Sequence, residues 1–121
     1  SSRDIEGENP LYLPQAKVYN GSCALGPGII LTRADAMREL PVYLSIKRDG
    51  TAMFKGETSI AQMKRSLEEL INCLFLELDM PGGAVLMTGA GIVPGDDFTL
   101  LPGDAVEIRV GAATLANIVS D

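Results

Sequence analysis

The sequence contains no histidine and no tryptophan among its 121 residues. Without an imidazole there is neither a histidine base for a hydrolytic triad nor a histidine-based zinc site. Acid–base chemistry must then come from Lys, Glu or Asp, or from groups outside the chain. Aromatic residues amount to 5%, so a core has to be built from Leu, Ile, Val, Ala and Met. No apolar run approaches the roughly 20 residues of a membrane span, and nothing reads as a signal peptide; the expected location is the cytoplasm. The two cysteines, Cys23 and Cys73, lie far apart and match no metal-binding spacing. Their neighbours suggest small buried residues, and a disulfide between them stays open. No Lys/Arg cluster relieves the formal charge of −6 from 16 acidic and 10 basic side chains. Nucleic acid and anionic membranes would repel such a chain, whereas one cation in a cleft can still hold a small anionic substrate.

What is present points to a β-rich mixed domain. Hydrophobic residues make up 46%, enough to offset chain entropy, and 13 Gly with 7 Pro indicate many tight turns and short strands. Residues 1–16 read as a loop with Leu11, Tyr12 and Leu13 as anchors between two prolines. Ile29, Ile30 and Leu31 read as a short buried strand, and residues 33–39 as a short helix capped by Thr32 and ended by Pro41. Val42, Leu44 and Ile46 alternate with polar neighbours, Asp49-Gly50 is a hairpin turn, and Thr51 to Lys55 form the return strand. One main helix is expected over about residues 59–79, with a capping box from Ser59 to Gln62 and an apolar stripe beginning at Ile60 and Met63. Glu68 and Glu69 fall on its solvated side. Residues 84–87, 98–101, 106–110 and 115–119 read as further strands, with a Pro102-Gly103-Asp104 turn. There is no internal repeat and no linker.

Three places could carry chemistry. Arg3, Asp4, Glu6 and Glu8 crowd the opening loop, where charges are usually solvated. Lys17 follows an apolar stretch; it either lays its stem along apolar surface or presents its ammonium to an anionic ligand. The Thr88–Gly95 loop lacks the Gly-Lys-Ser/Thr of a nucleotide loop, but its glycines and the Thr88 hydroxyl could cradle a carboxylate.

Together these segments resemble the fumarylacetoacetate hydrolase superfamily over essentially the whole chain. Ser1-Ser2-Arg3-Asp4 looks like the end of the family's Asn-Asp-x-Ser-x-Arg-Asp motif, and Lys17 falls at its active-site lysine. Cys23 to Pro27 matches the segment leading to the Gly-Pro turn, Thr88-Gly89 the substrate-contacting pair, and Leu101 to Glu107 the late Gly-Asp-x-Val-Glu signature. Glu6 to Lys17 and Thr88 to Pro94 look most like the branch that dehydrates 2-keto-3-deoxy sugar acids, and they depart from the Thr-Gly-Thr-Pro-x-Gly-Val-Gly loop of acylpyruvate hydrolases and oxaloacetate decarboxylases.

The resemblance implies an α+β fold, a β-rich mixed β-sandwich roll, and a homodimer. It implies Mg²⁺ (or Mn²⁺) chelated by a 2-oxo acid substrate and stabilising an enolate. Lys17 would be catalytic, while Arg3, Glu6, Thr88 and Gly89 would bind substrate. By the motif's spacing the metal-binding Asp lies two positions before Ser1, and the Glu-x-Glu pair further upstream. Residues 1–121 are therefore expected to be the C-terminal portion of a single catalytic domain, inactive alone, with no metal ligand in this chain. A C–C hydrolase or decarboxylase on the same scaffold is the competing enzyme, and a non-catalytic β-rich module the competing class.

Overall fold

A hairpin needs a turn whose twist matches its strands, and Asp49 (φ 50°) and Gly50 (φ 78°) supply one, both residues lying in the left-handed region. In the computed structural model, which describes residues 9–120, this turn joins β1 (Pro41–Arg48) to β2 (Thr51–Ser59). A register shift between Ile46 and Lys47 leaves Met53 as an extra residue in β2. β3 (Ala105–Val110) and β4 (Ala113–Ile118) form a second hairpin, and β3 pairs with β1. The sheet is antiparallel throughout, in the order β2-β1-β3-β4.

Register decides which residues share a face, because directly opposed residues point to the same side. Val42, Leu44 and Ile46 line up with Thr58, Gly56 and Phe54 on one flank and with Val110, Ile108 and Val106 on the other. The apolar alternation thus gives one apolar face, with Ile46 at its buried centre. The opposite face carries Tyr43, Ser45, Lys47, Glu107 and Arg109; Arg109 lies 4.5 Å from the Tyr43 ring centroid, a cation–π contact.

Three short helices accompany the sheet: α1 (Leu13–Lys17), α2 (Ala34–Arg38) and α3 (Leu67–Leu74). They correct several expectations. The main helix is eight residues long rather than the span 59–79. Ser59 is held extended by its pairing with Pro41, and Ile60–Gln62 form only a 3-10 turn. The capping box is Ser66 with Glu69: each side chain accepts from the other's backbone N–H, at 3.1 and 2.7 Å. A helix also replaces the end of the expected opening loop, and Arg33 rather than Thr32 caps α2, without a side-chain bond. Residues 29–31, 84–87 and 98–101 are not strands. Apolar runs call for burial, but a strand also needs a ladder partner, and none pairs with them among the described residues.

Ala16 and Ile46 are the fully buried apolar residues among those described, while Ile29 and Leu31 are 92% and 93% exposed. The chain presents 9527 Å² to solvent, where a compact monomer of 12.8 kDa presents roughly 6,300 Å². Both cysteines are free and exposed, against the expectation of buried ones. No helix among the described residues is long and apolar enough to cross a membrane.

Candidate functional site

Lys17 is the last residue of α1. Asn9 starts the approach by accepting the Leu11 N–H on its side chain (2.9 Å), and Pro14 sits in the first turn of α1, where a missing N–H costs nothing. Val18 closes the helix by donating to the Pro14 carbonyl. The Ser22 hydroxyl then donates to the Lys17 carbonyl at 3.1 Å, folding the following loop back on the helix end. Lys17 itself is exposed.

One residue beyond Ser22, the Cys23 thiol reaches the Met87 sulfur at 3.7 Å, a contact between residues 64 apart in sequence. Met87 immediately precedes Thr88, so the loop after Lys17 is tied to the start of the glycine-rich loop. Thr88 and Gly89 are both exposed, and Gly89 takes φ +99°, a conformation L side chains rarely adopt.

Beyond Gly89 the segment is fastened to the apolar face of the sheet. Gly91 approaches Thr58, Ile92 sits over Gly56, and the Phe98 ring packs on Phe54 with centroids 6.1 Å apart. Its far end is held by an ion pair. Asp104, with no exposed surface, accepts from Arg48 Nε and Nη2, both at 2.8 Å, and from the Leu101 N–H at 2.9 Å. Arg48 also donates to the Thr99 carbonyl at 3.0 Å. The guanidinium, helped by the Leu101 N–H, draws the Asp104 carboxyl down to about 2.

The Cys23–Met87 contact therefore ties the loop that follows Lys17 to the loop of Thr88 and Gly89, two loops that carry a cation, a hydroxyl and backbone N–H groups. Such a set suits a small carboxylate. Arg3 and Glu6 lie outside the described residues. No three His, Cys, Asp or Glu side chains gather into a metal-binding group among the described residues. Glu69 is engaged in the α3 cap, and Asp97 folds back over Gly95, so the residues described do not by themselves fit a divalent cation. The sequence reading missed Gly56 and the Arg48–Asp104 pair. A glycine in mid-strand was the available signal for the first; the second had none, since Asp104 reads simply as a turn residue.

Comparison with known proteins adds a family and relatives. Residues 1–120 match the family described as fumarylacetoacetate (FAA) hydrolase C-terminal. The chain is 42% identical over 122 residues to a probable 2-keto-3-deoxyxylonate dehydratase of Haloferax volcanii, covering 99% of this chain and 42% of that protein. It is 42% identical over 113 residues to the 2-dehydro-3-deoxy-D-arabinonate dehydratase of Saccharolobus solfataricus, covering 91% of this chain and 37% of that one. Among solved structures it matches 2-keto-3-deoxy-D-arabinonate dehydratase complexed with magnesium and 2,5-dioxopentanoate. That match has a TM-score of 0.88 at 41% identity, over 98% of this chain and 43% of the other. The apo form of that enzyme gives the same TM-score. The chain thus spans about two fifths of the length of the relatives it matches.

Proposed function

As the chain belongs to the fumarylacetoacetate hydrolase C-terminal family, we propose that it supplies the substrate-binding part of a magnesium-dependent dehydratase acting on a 2-keto-3-deoxy sugar acid. The observation that carries this reading is the Cys23–Met87 contact, which joins the Lys17 loop to Thr88-Gly89 in a chain 42% identical to dehydratases of such acids.

The chemistry fits the groups present. In a 2-keto-3-deoxy acid the keto group acidifies the C3–H, and the hydroxyl on C4 leaves as that proton is lost. The substrate arrives as a carboxylate, and negative charge spreads onto the keto oxygen in the transition state. The Thr88 hydroxyl and the loop N–H groups at Gly89 bind and orient the carboxylate. Lys17 faces the developing charge or relays the proton, with Arg3 and Glu6 completing the substrate contacts. Fixed donors aimed at developing charge lower a barrier most effectively where water is excluded.

The magnesium ligands are assigned to a further portion of the polypeptide, a reading supported by the chain's spanning about two fifths of its relatives' length. That same portion covers the apolar residues of the open loops, Ile29 and Leu31 foremost, and completes the family's β-sandwich roll around the four-stranded sheet. Residues 1–121 then form the C-terminal portion of one catalytic domain, inactive alone, in a cytoplasmic homodimer. The test is turnover of 2-keto-3-deoxy-D-arabinonate by the whole protein with Mg²⁺, followed by chelation. Water loss that stops with EDTA and returns with Mg²⁺ is expected; turnover indifferent to chelator, or confined to acylpyruvates, would overturn the reading.

A further inference from the structure

Glycine in the interior of a strand forgoes side-chain packing and loses more conformational freedom on folding than any other residue. Gly56 sits in the middle of β2, opposite Leu44, and its φ is not in the left-handed region, so the backbone does not require glycine there. Space does. A Cβ on Gly56 would collide with Cγ2 of Ile92, with the Phe54 ring edge closing the notch at 3.3 and 3.4 Å. Two residues further along the same face, a Cβ on Gly91 would lie 3.1 Å from the Thr58 methyl. The glycine-rich loop is therefore pressed against β2 at consecutive positions of one face. Thr88 and Gly89 lie between this seat and the Cys23–Met87 contact.

We propose that Gly56 and Ile92 are positioning residues: the notch at Gly56 seats the Ile92 side chain and so fixes where Thr88 and Gly89 present their donors to the substrate carboxylate. This rests on the reading of Thr88-Gly89 as a substrate contact. A methyl group in the notch pushes Ile92 out and lifts the loop, while the sheet beneath keeps its ladder. Removing the bulk of Ile92 makes room for that methyl again.

The experiment compares the whole protein with its Gly56→Ala, Ile92→Ala and Gly56→Ala/Ile92→Ala variants by hydrogen exchange and steady-state kinetics with Mg²⁺ and 2-keto-3-deoxy-D-arabinonate. Gly56→Ala should speed exchange of the 88–95 amides about tenfold while β1 and β3 stay protected. It should raise KM roughly tenfold with kcat within about twofold, the pattern of weakened uniform binding. The double variant should recover both exchange and KM to within about twofold of wild type, a coupling that independent sites would not show. Unchanged exchange in Gly56→Ala, or no recovery in the double variant, overturns the seat. Faster exchange with unchanged KM overturns its role in substrate placement. If the wild-type protein turns over no 2-keto-3-deoxy sugar acid, the functional reading fails, and the exchange data alone decide the seat.

Discussion

The four-stranded sheet and the two long irregular stretches, residues 18–33 and 75–101, are built on opposite terms. Within the sheet, β1 finds a partner on both sides, and its central residue Ile46 is 3% exposed. The stretches contain apolar residues in comparable density, yet Leu76, Val85 and Ile29 stay open to solvent. Short-range pairing lets a hairpin satisfy its own backbone, as β1–β2 and β3–β4 do, each joined by a two-residue turn. Among the described residues the stretches are held at separate points, including a sulfur contact, a notch, a ring pair and an ion pair. Stability therefore resides in the ladder, and the candidate ligand contacts reside in what the ladder merely holds at those points.

That contrast can be broken at its strongest point. Asp104→Asn leaves the Arg48 guanidinium facing a neutral amide in a fully enclosed position. We expect it to lower the melting temperature of the whole protein by roughly 10 °C, the largest effect of a single change considered. The same pair makes stability depend on acid. The folded Asp104 carboxyl lies near 2, below its unfolded value of about 3.9. Its contribution is complete above about pH 4 and is lost as pH falls toward 2. Thermal melts across that range should show wild type losing stability that Asp104→Asn never had; parallel curves would remove the ion pair from the account. On the loop side, Lys17→Ala should cut kcat at least tenfold, about 1.4 kcal/mol, if the lysine acts in the transition state. Its melting temperature should stay near wild type, which separates chemistry from scaffold; an unchanged kcat would return Lys17 to a side chain that lays its stem along apolar surface. The smallest effect expected is Ser66→Ala, which removes half of the α3 capping box and should cost about 1 kcal/mol in denaturant titration. A loss much above that would mean α3 carries packing that its exposed face does not suggest.

The elements legible in the sequence were those whose partners are close in the chain. The Asp49-Gly50 turn with flanking alternation announced β1 and β2, and the apolar face of β3 followed from Val106, Ile108 and Val110. The helix boundary misled, because Ser59 and Gln62 have the same capping spacing as Ser66 and Glu69. Pairing with Pro41 keeps the first site in the sheet. The runs at 29–31 and 84–87 read as strands because apolar composition records a demand for burial without recording what supplies it. Cys23 failed similarly, its small neighbours suggesting a core position where the fold places an open thiol. Of the candidate site, Lys17 and Thr88-Gly89 were singled out through their family motifs alone. The contact that joins their two loops had no signal, since a thiol–thioether contact across 64 residues leaves no local pattern.

The fork between Arg48 and Asp104 has one more consequence. It fastens the exit of the 75–101 stretch to the mouth of the first hairpin, so the path re-enters β3 at a fixed point and heading whatever residues precede it. Between the Met87 contact and this clasp, the Gly56 notch and the Phe54–Phe98 ring pair pin the loop at further points. A change confined to the exposed positions between those points leaves the register of every strand undisturbed.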